Sequence, residues 1–167
     1  MTTDLLTLLG RDHQDIATGL AELARPATSI GQIRTTLDGV RLGLMAHAEA
    51  EDIVVYHALM RFTPSANLVN LIKAGHGAHV AQERALGALV SQKPCSLVWR
   101  EKATQLRDLV VHHADHEEEV ILPLLRAEAP APVWRSLAGE FATERLVQLG
   151  MLAPSAPIMS YQQLALL

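Results

Sequence analysis

Histidine and glutamate recur in this chain at one fixed spacing. His47 and Glu51 form a His-x-x-x-Glu pair, and the histidine of that pair follows His13 by 34 residues. In a helix, side chains four positions apart leave the same face about one turn apart. Such a pair can therefore offer an imidazole nitrogen and a carboxylate oxygen to one metal ion, and His13 would come from a neighbouring helix.

The same pattern returns when the chain is shifted by 66 residues. The second copy ends in "VVHHADHEEEVILP" and consists of His79, His113 and Glu117. Because six metal-capable residues follow one rule, we favour a metal site over the alternative, in which they are surface histidines or hydrogen-bonded core histidines. Four imidazoles and two carboxylates could hold two cations with the glutamates bridging them. Mixed nitrogen and oxygen ligation suits iron or manganese.

Apolar residues at three- and four-residue spacing predict helices almost throughout the chain. The first helix is expected from about residue 3 to residue 24, and the second begins after Thr28 or Ser29 as its N-cap. The second helix ends before "FTPS". The predicted buried positions are Leu5, Leu9, Ile16, Leu20 and Leu23 on the first helix, and Ile33, Leu37, Val40, Leu44, Ile53 and Val54 on the second.

The third and fourth predicted helices complete a second hairpin. Thr63 is the expected N-cap of the third helix, with Pro64 at its first position, and this helix continues to about Ser91. The fourth spans roughly residues 96–127, and Pro123 must kink it or end its regular part nearby.

Four helices joined by short loops predict an all-α fold, an up-down-up-down antiparallel four-helix bundle, over residues 1–128. Residues 129–167 are expected to add a C-terminal helix and a tail that pack on the bundle. That fifth helix is predicted from about Val133 to Leu149, closed by Gly150.

Composition limits the classes of function. The 167 residues fit one domain with a substantial core. A net charge of −4 gives no electrostatic footprint for nucleic acid. One cysteine, Cys95, suits a reducing compartment. The start of the chain lacks a basic segment before its apolar stretch, and no apolar run reaches the ~20 residues of a membrane span. We expect a cytoplasmic protein without a membrane partner.

Four segments, "RDHQDI", "HAEAED", "GHGAHV" and "HHADHEEEVILP", resemble the hemerythrin-like family, also called the HHE cation-binding domain, over roughly residues 4–127. The resemblance implies a four-helix bundle with a non-haem di-iron centre between the helices. Carried over by position, the metal ligands would be His13, His47, Glu51, His79, His113 and Glu117.

The chain departs from the family's oxygen carriers at two places. The carriers have two ligand histidines four apart on the third helix, whereas His76 and His79 are three apart, so His76 is a candidate fifth imidazole that the repeat does not support. The carriers also have an aspartate five residues after the histidine of the fourth helix, where this chain has Glu117 at four and Glu118 at five. This matches the broader bacterial HHE proteins and weighs against reversible oxygen carriage.

The resemblance implies two iron ions, oxo- or hydroxo-bridged, that bind O2, peroxide or NO, with no catalytic residue beyond the ligands. Redox chemistry of a peroxidase, catalase or NO-oxidising kind is the first hypothesis. A carrier or sensor without turnover, or an iron storage or handling module, is the alternative. We expect a monomer or weak homodimer, and the sequence does not identify a redox partner.

Other polar residues near the pattern carry weaker expectations. Tyr56 would reach the metals only if the second helix bends there. Asp12 and Asp15 are expected to face water. His112 and His116 are expected to be solvated or to stand behind a ligand. The fifth helix is expected simply to pack on the bundle.

Overall fold

The computed structural model describes residues 4–26, 29–63 and 67–153, and no strand occurs among them. Two of the helices contain a π-helical segment: α2, residues 30–62, and α4, residues 97–128. The helices are α1 (Leu5–Leu23), α2 (Ile30–Ala50, π segment Glu51–Tyr56, His57–Phe62), α3 (Leu68–Val90), α4 (Leu97–His116, π segment Glu117–Ile121, Leu122–Glu128) and α5 (Ala131–Leu152).

The first four helices form a bundle. Helix α1 packs against α2 and α4, α3 packs along α4, and α2 and α3 touch at only a few positions. Helix α5 lies along α2 and also contacts α1. The predicted all-α bundle with an additional C-terminal helix is therefore confirmed. In the described part of the chain, no helix has both the length and the apolar character that crossing a membrane requires.

Helix boundaries follow local capping chemistry. The Ser29 hydroxyl accepts a hydrogen bond from the Gln32 backbone N–H at 3.1 Å, which confirms Ser29 as an N-cap; Thr28 lies outside the described residues. Ser96 caps α4 in the same way, through the Trp99 backbone N–H. Each cap satisfies one of the free N–H groups of the first helical turn.

Two predicted boundaries are wrong. Thr63 does not cap the third helix: its backbone N–H bonds to the Leu59 carbonyl at 3.0 Å and closes α2, and α3 begins at Leu68. Pro64 lies outside the described residues. Helix α5 continues through Gly150 to Leu152, since a glycine permits a helix to end but does not force it to. The tail after residue 153 also lies outside the described residues.

The core forms two apolar layers with a polar layer between them. All five predicted positions of α1 are buried. One layer gathers around Leu9, Leu59 and Phe141, and the other around Leu20, Trp99 and the α4 residue Leu106. Because His13 lies between Leu9 and Ile16 on α1, the histidine pattern falls between the two layers.

The π-helical segments begin at Glu51 and Glu117, which are equivalent in the 66-residue repeat. A π turn closes its hydrogen bond over five residues and occurs frequently at functional sites. Pro123 lacks an N–H and favours the interruption in α4, although α2 is interrupted at the same level with His57 in the equivalent position. Ile53 is 40% accessible, so its predicted burial is wrong: it lies two residues after the buried Glu51 and therefore on the opposite face of the helix.

Candidate metal centre

Six residues of the histidine pattern meet in the polar layer at the middle of the bundle. All are buried, and the most exposed, His79, is only 9% accessible. They come from four helices, since each hairpin of the repeat supplies a single histidine from one helix and a His/Glu pair from the next. The residues are His13 on α1, His47 and Glu51 on α2, His79 on α3, and His113 and Glu117 on α4.

The six residues form two overlapping groups that share both glutamates. In each group, one nitrogen or oxygen atom from every residue lies within 4.8 Å of the others, close enough to surround a cation. We call the group of His13, His47, Glu51 and Glu117 site 1. We call the group of Glu51, His79, His113 and Glu117 site 2.

Each glutamate turns one oxygen towards each site. Glu51 Oε1 lies 3.2 Å from His47 Nε2, and its Oε2 lies 3.1 Å from His79 Nε2. Glu117 Oε2 lies 3.4 Å from His13 Nε2, and its Oε1 lies 3.5 Å from His113 Nε2. A carboxylate placed in this way can bridge two cations, which was the geometry expected from the repeat.

Buried polar atoms without hydrogen-bond partners show that the donor set fits a metal ion. They include His13 Nε2, His47 Nε2, Glu51 Oε1 and Glu117 Oε2, one atom from each residue of site 1. A buried polar group without a partner costs about 1–3 kcal/mol, and native proteins rarely leave four together. Because imidazole nitrogens and carboxylate oxygens are ligands of divalent transition metals, a cation would satisfy all four.

Carboxylates stand behind three of the imidazoles. His13 Nδ1 lies 2.9 Å from Glu118 Oε1, and His79 Nδ1 lies 3.1 Å from Asp52 Oδ1. These two contacts are related by the repeat, because Glu118 and Asp52 each follow a ligand-pattern glutamate. A carboxylate that accepts the Nδ1 proton keeps Nε2 free to bind a metal.

His47 has a carboxylate partner that the sequence did not predict. Its Nδ1 lies 3.3 Å from Asp12 Oδ2, and Asp12 is buried. The expectation that Asp12 faces water is therefore wrong, while Asp15 is exposed as expected. No spacing rule indicated this contact, because Asp12 neighbours His13 in the chain but pairs with the histidine of another helix.

The carboxylates also control the protonation of the imidazoles. Burial lowers the pKa of His13, but the adjacent Glu117 and Glu51 carboxylates outweigh it and raise that pKa to about 11. Burial likewise opposes the charge of His79, whose pKa Asp52 and Glu51 raise to about 10. Conversely, burial favours neutral Glu51, but His47 and the other imidazoles hold its pKa well below the usual value.

Tyr56 reaches the centre because the π segment turns it inward. Five residues separate it from Glu51, which is one hydrogen-bonded turn of a π-helix, and its buried hydroxyl donates to Glu117 Oε1 at 2.7 Å. Burial raises the pKa of the Tyr56 hydroxyl, and the Glu117 charge raises it further, so the group keeps its proton. The sequence predicted that Tyr56 would reach the metals only if the second helix bends there, and the π segment interrupts the regular helix at that place.

The remaining histidines stay outside both sites. The His76 side chain is 49% exposed and its Nδ1 lies 3.2 Å from Asp52 Oδ2, so the structure does not bring His76 into the donor groups. His112 is exposed and His116 is partly exposed, in keeping with the solvated role expected for them.

A pocket of about 140 Å³ opens between α2 and α3, where these helices touch least. Its walls include His79 of site 2, together with Asp52, His76 and the buried Gln82. Its volume suits a ligand of a few atoms. A second pocket, of about 180 Å³, opens between α1 and α4 and is lined by His13 of site 1 and by Glu118. A larger cleft of about 830 Å³ between α2 and α5 contains none of the six residues, so we regard the two smaller pockets as the routes to the centre.

Comparison with known proteins agrees with the fold and the donor set. The model of the hemerythrin HHE cation-binding domain matches residues 4–125, which include all six residues of the two sites. Searches of curated proteins and of solved structures found no match to the chain. Since the matched segment covers most of the sequence, this chain belongs to the hemerythrin HHE cation-binding domain family.

Proposed function

We propose that the chain is a non-haem di-iron protein that binds O2, peroxide or NO and carries out redox chemistry on it. Site 1 would hold one iron through His13 and His47, and site 2 would hold the other through His79 and His113. Glu51 and Glu117 would bridge the two ions.

The observation that carries this proposal is the division of the glutamate oxygens between two buried groups of donors. Each group offers two imidazole nitrogens and two carboxylate oxygens. Nitrogen and oxygen donors suit a non-haem iron ion, whereas zinc-finger and iron–sulfur sites use thiolates. Membership of the family supports the same metal. His76 is left out of the proposed ligand set because its ring contacts Asp52 at the protein surface.

Iron bound here would supply electrons to, or accept them from, a small ligand at an open coordination position. The chain's own residues prepare the surroundings. The two apolar layers exclude bulk water on both sides of the centre. The pocket beside His79 admits only a ligand of a few atoms. The Tyr56 hydroxyl donates a hydrogen bond to Glu117 and holds that carboxylate in place.

The hydrogen bond from Tyr56 supports redox chemistry as the first hypothesis. The hydroxyl keeps its proton and donates to Glu117, and a hydrogen-bonded partner of a ligand carboxylate tunes the metal that the carboxylate would hold.

Metal content tests the dinuclear centre. Protein loaded anaerobically with ferrous iron and then desalted should contain about two irons per chain. His113→Ala should retain only about one iron, because it removes a donor of site 2 and leaves the residues of site 1 in place. His112→Ala is the matched control, since it changes the neighbouring exposed histidine and should keep both ions. One zinc per chain, or a folded protein that retains no iron, would contradict the proposal.

Reaction with oxygen species then separates turnover from carriage. The iron-loaded protein should convert two molecules of hydrogen peroxide into two of water and one of O2, measured with an oxygen electrode. His113→Ala should lose this activity and His112→Ala should keep it. If the ferrous protein instead gains a visible absorption band with O2 and loses it on deoxygenation, without oxygen evolution from peroxide, the protein is a carrier.

A further inference from the structure

The two halves of the centre are not equivalent, although the chain repeat relates their ligands. Glu118 behind His13 and Asp52 behind His79 are partners in the repeat. Asp12 behind His47 has no such partner, because the position 66 residues later is Ala78. In the described part of the chain, no carboxylate makes the corresponding contact with Nδ1 of His113.

Helix α5 holds the unmatched carboxylate. Arg145 of α5 forms an ion pair with Asp12 Oδ2, the same oxygen that faces His47 Nδ1. Phe141, one helical turn earlier on α5, lies edge-on to the His47 ring with centroids 5.7 Å apart. Two side chains of α5 therefore fix His47, one through Asp12 and one through direct ring contact.

The Asp12 contact is also the most protected of the three. The Asp12 side chain is 11% exposed, against 29% for Asp52 and 38% for Glu118. Electrostatic interactions strengthen as solvent is excluded. The Nδ1–Oδ2 distance of 3.3 Å is the longest of the three, so the protection of this contact comes from burial and from the Arg145 ion pair that holds Asp12 in place.

The donor atoms of site 1 and site 2 also differ in the hydrogen bonds that they already make. Each of the four residues of site 1 has one buried donor atom without a hydrogen-bond partner. In site 2, by contrast, His79 Nε2 lies 2.9 Å from His113 Nε2 and 3.1 Å from Glu51 Oε2, and Glu117 Oε1 already accepts the Tyr56 hydroxyl. In site 1 the nearest pairs, His47 Nε2 with Glu51 Oε1 at 3.2 Å and His13 Nε2 with Glu117 Oε2 at 3.4 Å, lack hydrogen-bond geometry. An ion that enters site 1 therefore displaces fewer hydrogen bonds than one that enters site 2.

We propose that α5 makes the two metal positions unequal: Arg145 holds Asp12 against His47, and site 1 binds its ion first and more tightly than site 2. Asp12 and Arg145 are positioning residues that act through His47. This inference rests on the proposed dinuclear centre. Site 2 is then the position that fills last.

Calorimetric titration of the metal-free full-length protein with Co²⁺, followed also by visible absorption, tests this order. Two binding steps are expected, and His79→Ala should remove the weaker one. Asp12→Asn keeps the shape of the side chain but removes its charge, and should weaken the tighter step by about 10- to 100-fold, the usual effect of a residue behind a metal ligand. The weaker step should not change.

Arg145→Leu should act in the same direction as Asp12→Asn, because the Asp12 carboxylate loses the guanidinium that holds it against His47. Arg145→Lys should restore much of the affinity. Arg135→Leu, which changes an exposed arginine on the same helix, is the matched control and should leave both steps unaltered. Circular dichroism before metal addition verifies that each variant is folded.

Two failures are distinguishable. If two Co²⁺ ions bind but Asp12→Asn and Arg145→Leu weaken both steps equally, strengthen the tighter one or change neither, the role of α5 is wrong and the dinuclear centre stands. If the unaltered protein binds fewer than two Co²⁺ ions, the dinuclear proposal fails, and the order of filling fails with it.

Discussion

Single residues around the ligands decide how the imidazoles are presented. Asp12, Asp52 and Glu118 each face an Nδ1 atom, so the Nε2 atoms of three histidines turn towards the centre. Glu117 receives its hydrogen bond from Tyr56 rather than from an imidazole. The chemistry of the centre therefore depends on residues that do not themselves belong to either donor group.

Replacing Tyr56 by Phe should slow peroxide turnover without removing iron. The change deletes only the hydroxyl that donates to Glu117, and loss of a partner behind a metal ligand typically lowers activity by about 10- to 100-fold. Oxygen evolution and iron content, measured on the same preparation, check this. An unchanged rate with about two irons bound would show that the Tyr56 hydrogen bond does not contribute to turnover.

The metal-free protein should lose stability as pH rises from 6 to 9. The pKa values of His13 and His79 are raised to about 11 and about 10 in the folded chain, against about 6.5 when unfolded. Between these values the folded state binds more protons, so the free energy of unfolding falls as pH rises. The contribution is complete below pH 6.5 and is lost as pH rises through the folded values.

Urea unfolding of the metal-free protein at pH 6 and at pH 9 measures how the free energy of unfolding changes with pH. His79→Gln should make this change smaller, and His112→Gln should leave it unaltered. Metal binding should show the opposite trend, with affinity rising with pH, because the ion must displace the imidazole protons. A higher urea midpoint at pH 9 than at pH 6 in the metal-free protein would contradict the assignment.

At the scale of elements, the two π segments and one glycine determine what the bundle brings to its centre. The segment Glu51–Tyr56 rotates Tyr56 inward, and the ring then lies against α3 at Gly75. A Cβ atom built on Gly75 would lie 2.0 Å from the Tyr56 hydroxyl oxygen. The absence of a side chain at Gly75 is therefore a condition for the hydrogen bond to Glu117.

Gly75→Ala should destabilise the protein by about 1–3 kcal/mol, the usual cost of overpacking, and should push Tyr56 away from Glu117. Gly77→Ala is the matched control on the same helix, because its Cβ would meet nothing within 4 Å. The control should instead stabilise the protein by up to about 1 kcal/mol, since alanine favours the helix over glycine. Chemical denaturation of both variants checks the difference, and equal effects would contradict the close approach.

At the scale of the whole molecule, α5 adds contacts to a site whose six residues all lie within the segment that matches the family. The family match ends at residue 125, and α5 begins at Ala131. The helix buries Trp134, Leu137 and Phe141 against the bundle, and Arg145 reaches Asp12. Helix α5 contacts α1 and α2 of the bundle, and its Phe141 ring also contacts His47 of site 1.

Phe141→Ala should destabilise the protein by about 3–5 kcal/mol, the usual cost of emptying a fully buried aromatic site. The Phe141 side chain is completely buried and packs in the same apolar layer as Leu9 and Leu59. Leu146→Ala, at a position 68% exposed on the same helix, should change stability by no more than about 0.5 kcal/mol. Thermal unfolding compares the two, and a small effect of Phe141→Ala would mean that α5 is not firmly docked.

The sequence by itself determined the helices, the apolar stripes and the residues that meet in the polar layer. Hydrophobic spacing reports which face of a regular helix is buried, and the 66-residue repeat placed His13 and His79 at equivalent heights. Both signals are local or periodic, so they can be read without knowing the packing. The overlay of Asp52 on Glu118 in the repeat was also visible in the sequence.

Only the tertiary structure decided the contacts that change helical phase or join distant segments. The inward turn of Tyr56 follows from a π segment, which alters the phase that hydrophobic spacing assumes to be constant. The pairing of Arg145 with Asp12 joins residues on the last and first helices. Such a contact depends on where whole helices come to rest against each other, and no local spacing encodes that.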